Sequence, residues 1–531
     1  MLNRKGILMG NKNILIISFI LILSLLAGCG QDNIQANEKL NKNNDNLVIR
    51  LEGGDWGYPT PFLHYRRGPG AYKMKLIFDS LLEKDEKGLI PWLAKEWEIK
   101  NDGKEYIFKL NKNIKWHDGN KLTADDVKFT FEYYKAHPPV WNNLIVNGKN
   151  IIENVDIIDD YTIKFIVNEK NATYLERVGT MPIIPKHIWE NVKDPLKFYR
   201  EEAVIGCGPY KLTNYSREQG IYKFKAFENY WGPKQKVDVI EFVPVSDPIL
   251  AFEKGDIDTL MASPDILNRY ENNEGFKVTK NKPFWGYRLI FNMDNRPELK
   301  DKSLRKVFAY GINRDELVQK VARGAGIVAS MGYLPKAHKW YNPDIKKYNF
   351  DIEKARKLIN GKEYSFKLLI GNSPKEVKIA ELIKLSLSKV GINIEVKSVD
   401  NKTRDGLVKK GDFELAIIGH GGWGRDPDLL RDMYYSSETM ESNSPASGSL
   451  PGFYNEKINE LALLQMKQLN FDERKETIYK LQEVIAQEVP QIPLFNTIGY
   501  FVFRPLKYDG WMYTYDHHYP EHCKLSYLER K

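Results

Sequence analysis

Along this chain, short runs in which apolar and polar residues alternate are separated by longer runs of helical period. Tyr106, Phe108 and Leu110 alternate with polar neighbours and predict a strand, and Asp118-Gly119 beyond it is a turn signal. Thr123, with Asp126 three residues later, predicts a helix start ahead of Val127, Phe129 and Phe131. Asn313 with Glu316 predicts another. Tyr161, Ile163, Phe165 and Val167 share one face of a strand. The clearest unit spans residues 364–399. Phe366, Leu368 and Ile370 alternate; Val377, Ala380, Ile383 and Leu387 follow at helical spacing; Gly391 stops the helix; Ile392, Ile394 and Val396 alternate again. This is a βαβ unit, so a parallel strand pair is expected. A further strand over 413–418, after a helical stretch near 403–409, runs into the glycine-rich loop Gly419-His420-Gly421-Gly422-Trp423-Gly424. Ligands of open α/β sheets gather beyond the carboxyl ends of strands, which makes this loop the best local candidate for a site.

The chain has 531 residues, more than one hydrophobic core usually organises, so two or more lobes are expected. Hydrophobic residues make up 42% and charged residues 28%, a globular rather than disordered balance. The net charge of +9 arises from 79 basic and 70 acidic residues interspersed along the chain, without a nucleic-acid signature. The first 28 residues differ from the rest. Arg4, Lys5 and Lys12 precede an apolar run over 14–27 that is broken only by Ser18 and Ser24, with Met9 as an alternative start. That run suits a signal-peptide core and is short for a membrane span. It ends in Leu26-Ala27-Gly28-Cys29, which resembles a bacterial lipobox and implies acylation of Cys29 after cleavage. Residues 30–46 read as a polar tether. Cys207 and Cys523 imply no disulfide framework, and whether they pair is left open. No G-x-S-x-G, H-E-x-x-H, Walker A or dinucleotide fingerprint occurs, so no enzyme and no cofactor is expected. His517-His518 with His522-Cys523 fits no zinc spacing and reads as a surface tail.

Several segments, in order, resemble family 5 of the bacterial extracellular solute-binding proteins, the dipeptide, oligopeptide and nickel binders. They are Leu89-Ile90-Pro91-Trp92-Leu93-Ala94 with Trp97, then Trp116-His117-Asp118-Gly119 with Leu122-Thr123-Ala124-Asp125-Asp126-Val127, then Gly206-Cys207-Gly208-Pro209-Tyr210. Asn292, Pro297, Leu304-Arg305, Ile312-Asn313-Arg314, Val489-Pro490 and Ile492-Pro493-Leu494 continue the order. The resemblance implies an α/β, two-lobed periplasmic-binding-protein-like fold with a hinge and an extra domain. One lobe would combine residues 47–75, 205–286 and 502–531; the extra domain would span 76–204; the other lobe would span 287–501. It further implies capture of di- or oligopeptides outside the membrane by a lipid-anchored monomer, and delivery to an ABC permease with its ATPase subunits.

In peptide-binding relatives a W-x-x-D segment similar to Trp423-Gly424-Arg425-Asp426 supplies an Asp that pairs with the ligand's ammonium, which points to Asp426. Trp423 is expected to stack on the ligand or pack within its lobe, and His420 to meet a ligand acceptor or face solvent. Arg425 is a partner for a ligand carboxylate or a surface salt bridge. The loop His64-Tyr65-Arg66-Arg67, before a helix expected near Ala71, borders the cleft in the family, so Arg66 or Arg67 would receive an anionic group. A nickel chelate or other metallophore is the alternative ligand, held by Arg66, Arg67 or Arg425. The region after the Trp-Gly loop lacks the His that nickel-chelate binders can use there, which weakens that alternative. A secreted hydrolase or chaperone-like lipoprotein is the third reading, and the missing catalytic motifs oppose the hydrolase.

Overall fold

A computed structural model of the chain describes residues 46–65, 68–146, 148–283, 285–421, 426–436, 450–513 and 523–529. The targeting segment, Cys29 and the tether lie outside these, as do Arg66, Arg67, Trp423, Arg425 and residues 517, 518 and 522.

Two large apolar cores define two lobes. The first gathers residues from Ile49 to Phe242, with Tyr508 and Tyr527 from the far end of the chain and Met466 reaching in from a helix of the second lobe. The second gathers residues from Tyr287 to Phe495. In the first lobe Val48–Glu52 pairs in parallel with Val239–Val243, placing Ile49 beside Ile240 and Leu51 beside Phe242. Ile221–Ala226 and Tyr210–Ser216 complete that sheet. A second, antiparallel sheet of Ala94–Lys100, Glu105–Leu110, Thr162–Val167 and Ile152–Asp159 pairs Tyr106 with Phe165 and Phe108 with Ile163. The alternation read from the sequence therefore buries one face, although Tyr161 precedes its strand.

The helix Ala124–Ala136 covers this sheet, and its start is the predicted capping box: Thr123 Oγ1 accepts from the Asp125 N–H at 3.3 Å, and Asp126 Oδ2 accepts from the Thr123 N–H at 3.0 Å. Thr123→Ala is expected to cost about 1 kcal/mol, read as a shift of the denaturation midpoint. An unchanged midpoint would mean that water replaces the cap at no cost.

The second lobe holds a six-stranded sheet in the order Gly326–Val328, Gln491–Thr497, Trp285–Phe291, Leu415–Gly421, Tyr364–Gly371, Ile392–Val399. The expected βαβ unit is its edge: Tyr364–Gly371 runs parallel to Ile392–Val399, with Pro374–Ser388 between them. Ala380, Ile383 and Leu387 are buried under that helix, whereas Val396 faces out. The next strand begins at Leu415, not at Phe413, and continues through Gly421. Gly419, His420 and Gly421 are thus strand residues opposite Tyr287, Gly286 and Trp285, where a loop was expected. Ladder pairing continues because residues 285–287 supply partners on that edge.

Several residues behind the family resemblance are clamps of the backbone. His117 donates its N–H to the Gly206 carbonyl at 2.8 Å; its ring meets the Gly208 carbonyl through Nε2 at 2.9 Å and the Gly206 N–H through Nδ1 at 3.3 Å. A Cβ on Gly206 would lie 2.0 Å from the Ile77 carbonyl oxygen, so only glycine fits there. Arg305 donates to the carbonyls of Leu299, Lys300, Glu488 and Val489, and Arg314 to those of Ala329, Pro493 and Tyr348. Each buried guanidinium satisfies carbonyls that would otherwise lack donors.

The chain passes twice between the six-stranded sheet and a small sheet of Thr259–Ala262, Tyr500–Phe503 and Lys277–Lys280. The connectors, which include residues 281–283 and 498–499, are joined by the Asn281 N–H bonding to the Gly499 carbonyl at 2.9 Å. Two short adjacent strands of chain are the geometry of a hinge. Cys207 and Cys523 are both free and buried, which closes the question of their pairing. Of the group read as a surface tail only Cys523 is described, and it is buried, as are residues 524–528 that follow it into the first lobe. No helix among the described residues is long and apolar enough to cross a membrane.

Candidate functional site

A cavity of about 150 Å3 opens where the two lobes meet. Pro61, His64, Met74 and Lys75 form one wall; Trp141, Asn143, Thr173, Glu176 and Arg177 form another; Asp426, Asp428, Leu429 and Asp432 of the second lobe form the third. Of the residues singled out from the sequence, His64 and Asp426 are brought together here. Tyr65 is not part of the wall: it is exposed, with its ring tilted against Trp56 at 6.0 Å. The helix behind this loop, Gly68–Ile77, begins three residues before the expected Ala71 and delivers Met74 and Lys75 to the cavity.

His64 is buried, and Nδ1 lies 2.8 Å from the Tyr65 carbonyl oxygen. A carbonyl only accepts, so Nδ1 carries the proton and Nε2 is left as an acceptor. Burial holds the imidazole below its ordinary pKa, against the raising effect of the Tyr65 bond, so the ring is neutral. This tautomer suits a ligand N–H, not the carboxylate expected of a basic loop. The Trp141 ring packs edge-on against it at 5.8 Å.

Asp426 forms a bidentate pair with Arg474, whose Nη1 donates to Oδ2 at 2.7 Å and whose Nη2 donates to Oδ1. Oδ1 also accepts the Asp428 N–H at 2.9 Å. A carboxylate offers about four acceptor positions, so one on Oδ2 is left for a ligand. The side chain keeps 18% exposure, towards the cavity it lines.

Gln465 extends the network. It accepts from Arg474 Nε at 3.0 Å and donates to Asp428 Oδ1 at 2.6 Å. Asp428 also takes Arg431 Nε at 2.9 Å and, from the other lobe, Arg177 Nη2 at 2.7 Å. Burial alone would raise the Asp428 pKa; Arg431 and then Arg177 outweigh it and hold the carboxyl well below the usual range. On the opposite wall Lys84 donates to Glu176 at 2.7 Å. Lys75, half-buried, lines the cavity and lies close enough to Glu83 to lower that carboxyl's pKa.

Sequence reading missed Lys75, Glu176, Arg177 and Arg474. Each belongs to a helix with no motif of its own; Lys75, Glu176 and Arg177 come from the first lobe and Arg474 from the second, and the fold brings them to one cavity and its network. His420 stands in its strand opposite Gly286, and its side chain lies outside the described residues. Among the described residues no group of three or more His, Cys, Asp or Glu is arranged to hold a metal ion.

Residues 88–442 match the family model described as bacterial extracellular solute-binding proteins, family 5 Middle. The chain is 26% identical over 470 residues to the dipeptide-binding protein of Escherichia coli K12, covering 81% of this chain and 85% of that one. Among solved structures it is similar to DppA from Helicobacter pylori in complex with the peptide STSA, at 21% identity and a TM-score of 0.73, covering 91% and 98%. It is also similar to NikZ from Campylobacter jejuni in complex with Ni(L-His), at 24% identity and a TM-score of 0.72, covering 87% and 94%. With a family match over more than half its length and a two-lobed fold around an interlobe cavity, the chain belongs to the bacterial extracellular solute-binding proteins of family 5.

Proposed function

We propose that this protein captures short peptides between its lobes and delivers them to an ABC permease, held at the outer membrane face of the cell by a lipidated Cys29. The observation that carries the ligand class is the pairing of Asp426 and His64 in one cavity. Oδ2 of Asp426 and Nε2 of His64 both accept, and a peptide's α-ammonium donates. Lys75 supplies a cation for the carboxylate of a short peptide. A space of about 150 Å3 is on the order of one benzene-sized group, so the described cavity suits one small residue of such a peptide. The lipobox at residues 26–29 supports the anchor, and Arg66, Arg67, Trp423 and Arg425 adjoin described cavity residues in sequence and remain candidate contacts.

Calorimetry with dialanine tests the reading. Asp426→Asn is expected to weaken binding at least tenfold, as loss of a charge-assisted bond does, and N-acetylation of the peptide is expected to do the same to the unaltered protein. Binding of dialanine and its N-acetyl form within twofold of each other would reject the assignment.

A second reading, capture of a metal chelate, is favoured by one observation: His64 presents an unprotonated Nε2 into the cavity, the form of imidazole that binds metals. Nickel–histidine binding that disappears in His64→Gln, with no response to peptides, would select it.

A further inference from the structure

Arg177 and Asp428 belong to different lobes, and each has partners at home. Arg177 lies on Tyr174–Gly179, whose Tyr174 and Val178 are packed in the first core. Its Nε donates to Thr173 Oγ1 at 2.9 Å, and Nη1 reaches the Asn143 carbonyl at 3.5 Å. Asp428 leads into Leu429–Tyr434, whose Leu430 is packed in the second core. It is held there by Arg431 at 2.9 and 3.0 Å and by Gln465 at 2.6 Å. The bond from Arg177 Nη2 to Asp428 Oδ2, at 2.7 Å, is added only when the lobes meet. Asp432 sits 3.5 Å from the same nitrogen. Beside it the Ala172 N–H bonds to the Met466 carbonyl at 2.6 Å, again across the lobes.

Breaking a buried ion pair is costly when it strands a charge. Here it strands none: Asp428 retains Arg431, and Arg177 retains Thr173 and gains water. The cross-lobe bond is therefore absent from the stability of either lobe and present in the stability of their contact. A group with that property biases a two-state opening without contributing to folding.

We propose that Arg177 is a closure latch: its bond to Asp428 sets the population of the closed protein before any ligand arrives, and so scales the affinity for every ligand alike. This rests on the reading of the protein as a capture device, but not on the identity of what it captures. Apparent affinity falls in proportion to the closed, binding-competent fraction. Arg177 also lines the cavity, so a ligand-free readout is needed to separate latch from contact.

The test is the distribution of interlobe distances in the ligand-free full chain. Spin labels are placed on cysteines introduced at the exposed positions Lys197 and Lys384 with Cys29 changed to serine, since Cys207 and Cys523 are buried. Arg177→Gln is expected to lower the closed-to-open ratio about tenfold, the worth of one charge-assisted bond. Arg177→Lys, which keeps the charge, is expected to retain most of the closed population, and both variants to keep the melting temperature of the parent. An unchanged distance distribution in Arg177→Gln overturns the latch, as does equal opening in the two variants. Should Arg177→Gln melt earlier, the comparison with Arg177→Lys still decides. Failure of dialanine to bind would count against the peptide reading and leave these distances to judge the latch separately.

Discussion

Replacing Lys524 with methionine is expected to destabilise the first lobe by about 3–5 kcal/mol, the usual cost of removing one partner from a buried ion pair. The lysine side chain is 3% exposed and lies 2.6 Å from Asp79 and 2.7 Å from Glu83. Asp79 accepts further bonds from the Tyr230 hydroxyl at 3.0 Å and Trp231 Nε1 at 3.1 Å. Methionine fills the same volume but leaves two carboxylates facing each other in the absence of water. Burial already raises the Asp79 pKa against the pull of Lys524. For Glu83 burial acts the same way, but Lys524 and Lys75 outweigh it and hold the pKa low. Losing the ammonium thus forces protonation of at least one carboxyl on folding. Chemical denaturation at neutral pH checks this, and a midpoint within half a kilocalorie of the parent would refute it. Partial recovery at acidic pH, where the carboxyls take up protons, is the accompanying signature.

Acidification is expected to remove about 3 kcal/mol through His117 alone, at about 1.4 kcal/mol per unit of pKa difference. Burial lowers this imidazole to about 4 from an ordinary 6.5, more than the Gly208 carbonyl bond raises it. The sign follows from the depressed value. The unfolded chain binds a proton below 6.5 and the folded protein does not until about 4, so stability is complete above 6.5 and is lost as the pH falls through that window. The geometry explains why a proton is refused: Nδ1 accepts from the Gly206 N–H, and protonation would set two donors against each other. Lys73, lowered by burial to about 7 from an ordinary 10.5, is penalised as the pH falls from 10.5 to about 7, a window above that of His117. His64 does share the window, so the measurement is the slope of stability against pH in His117→Asn compared with the parent. Parallel slopes would mean that the clamp opens to admit the proton.

These clamps show what the sequence could and could not disclose. Trp116-His117-Asp118-Gly119 and Gly206-Cys207-Gly208 announce the family because the fold needs them to grip each other, 89 residues apart for the Gly206–His117 bond. Arg305 and Arg314 are legible for the same reason: carbonyls at fixed places in the fold demand a buried fork of donors. Period-two and helical patterns located the strands and the βαβ unit because burial on one face imposes them. The cavity obeyed no such local rule. Arg474 and Arg177 are single residues on helices whose spacing serves packing, and they acquire meaning only across a gap of 48 residues to Asp426 or 251 to Asp428. Asp426 was legible through its W-x-x-D context, but nothing nearby foretold that an arginine would already hold it.

The order of segments in the first lobe has a temporal side. Val48–Glu52 lacks its parallel neighbour until Val239–Val243 exists, and Asp79 waits 445 residues for Lys524. A polypeptide emerging amino end first therefore carries its earliest strand unpaired until nearly half of the chain has been made. The second lobe, by contrast, can assemble from contiguous chain before Lys524 arrives. Such long-range closure is slow, and the waiting edge is prone to stick to others. The half-built lobe is accordingly the state that holding chaperones would have to shelter, and the last segment to dock is the one that ends their task.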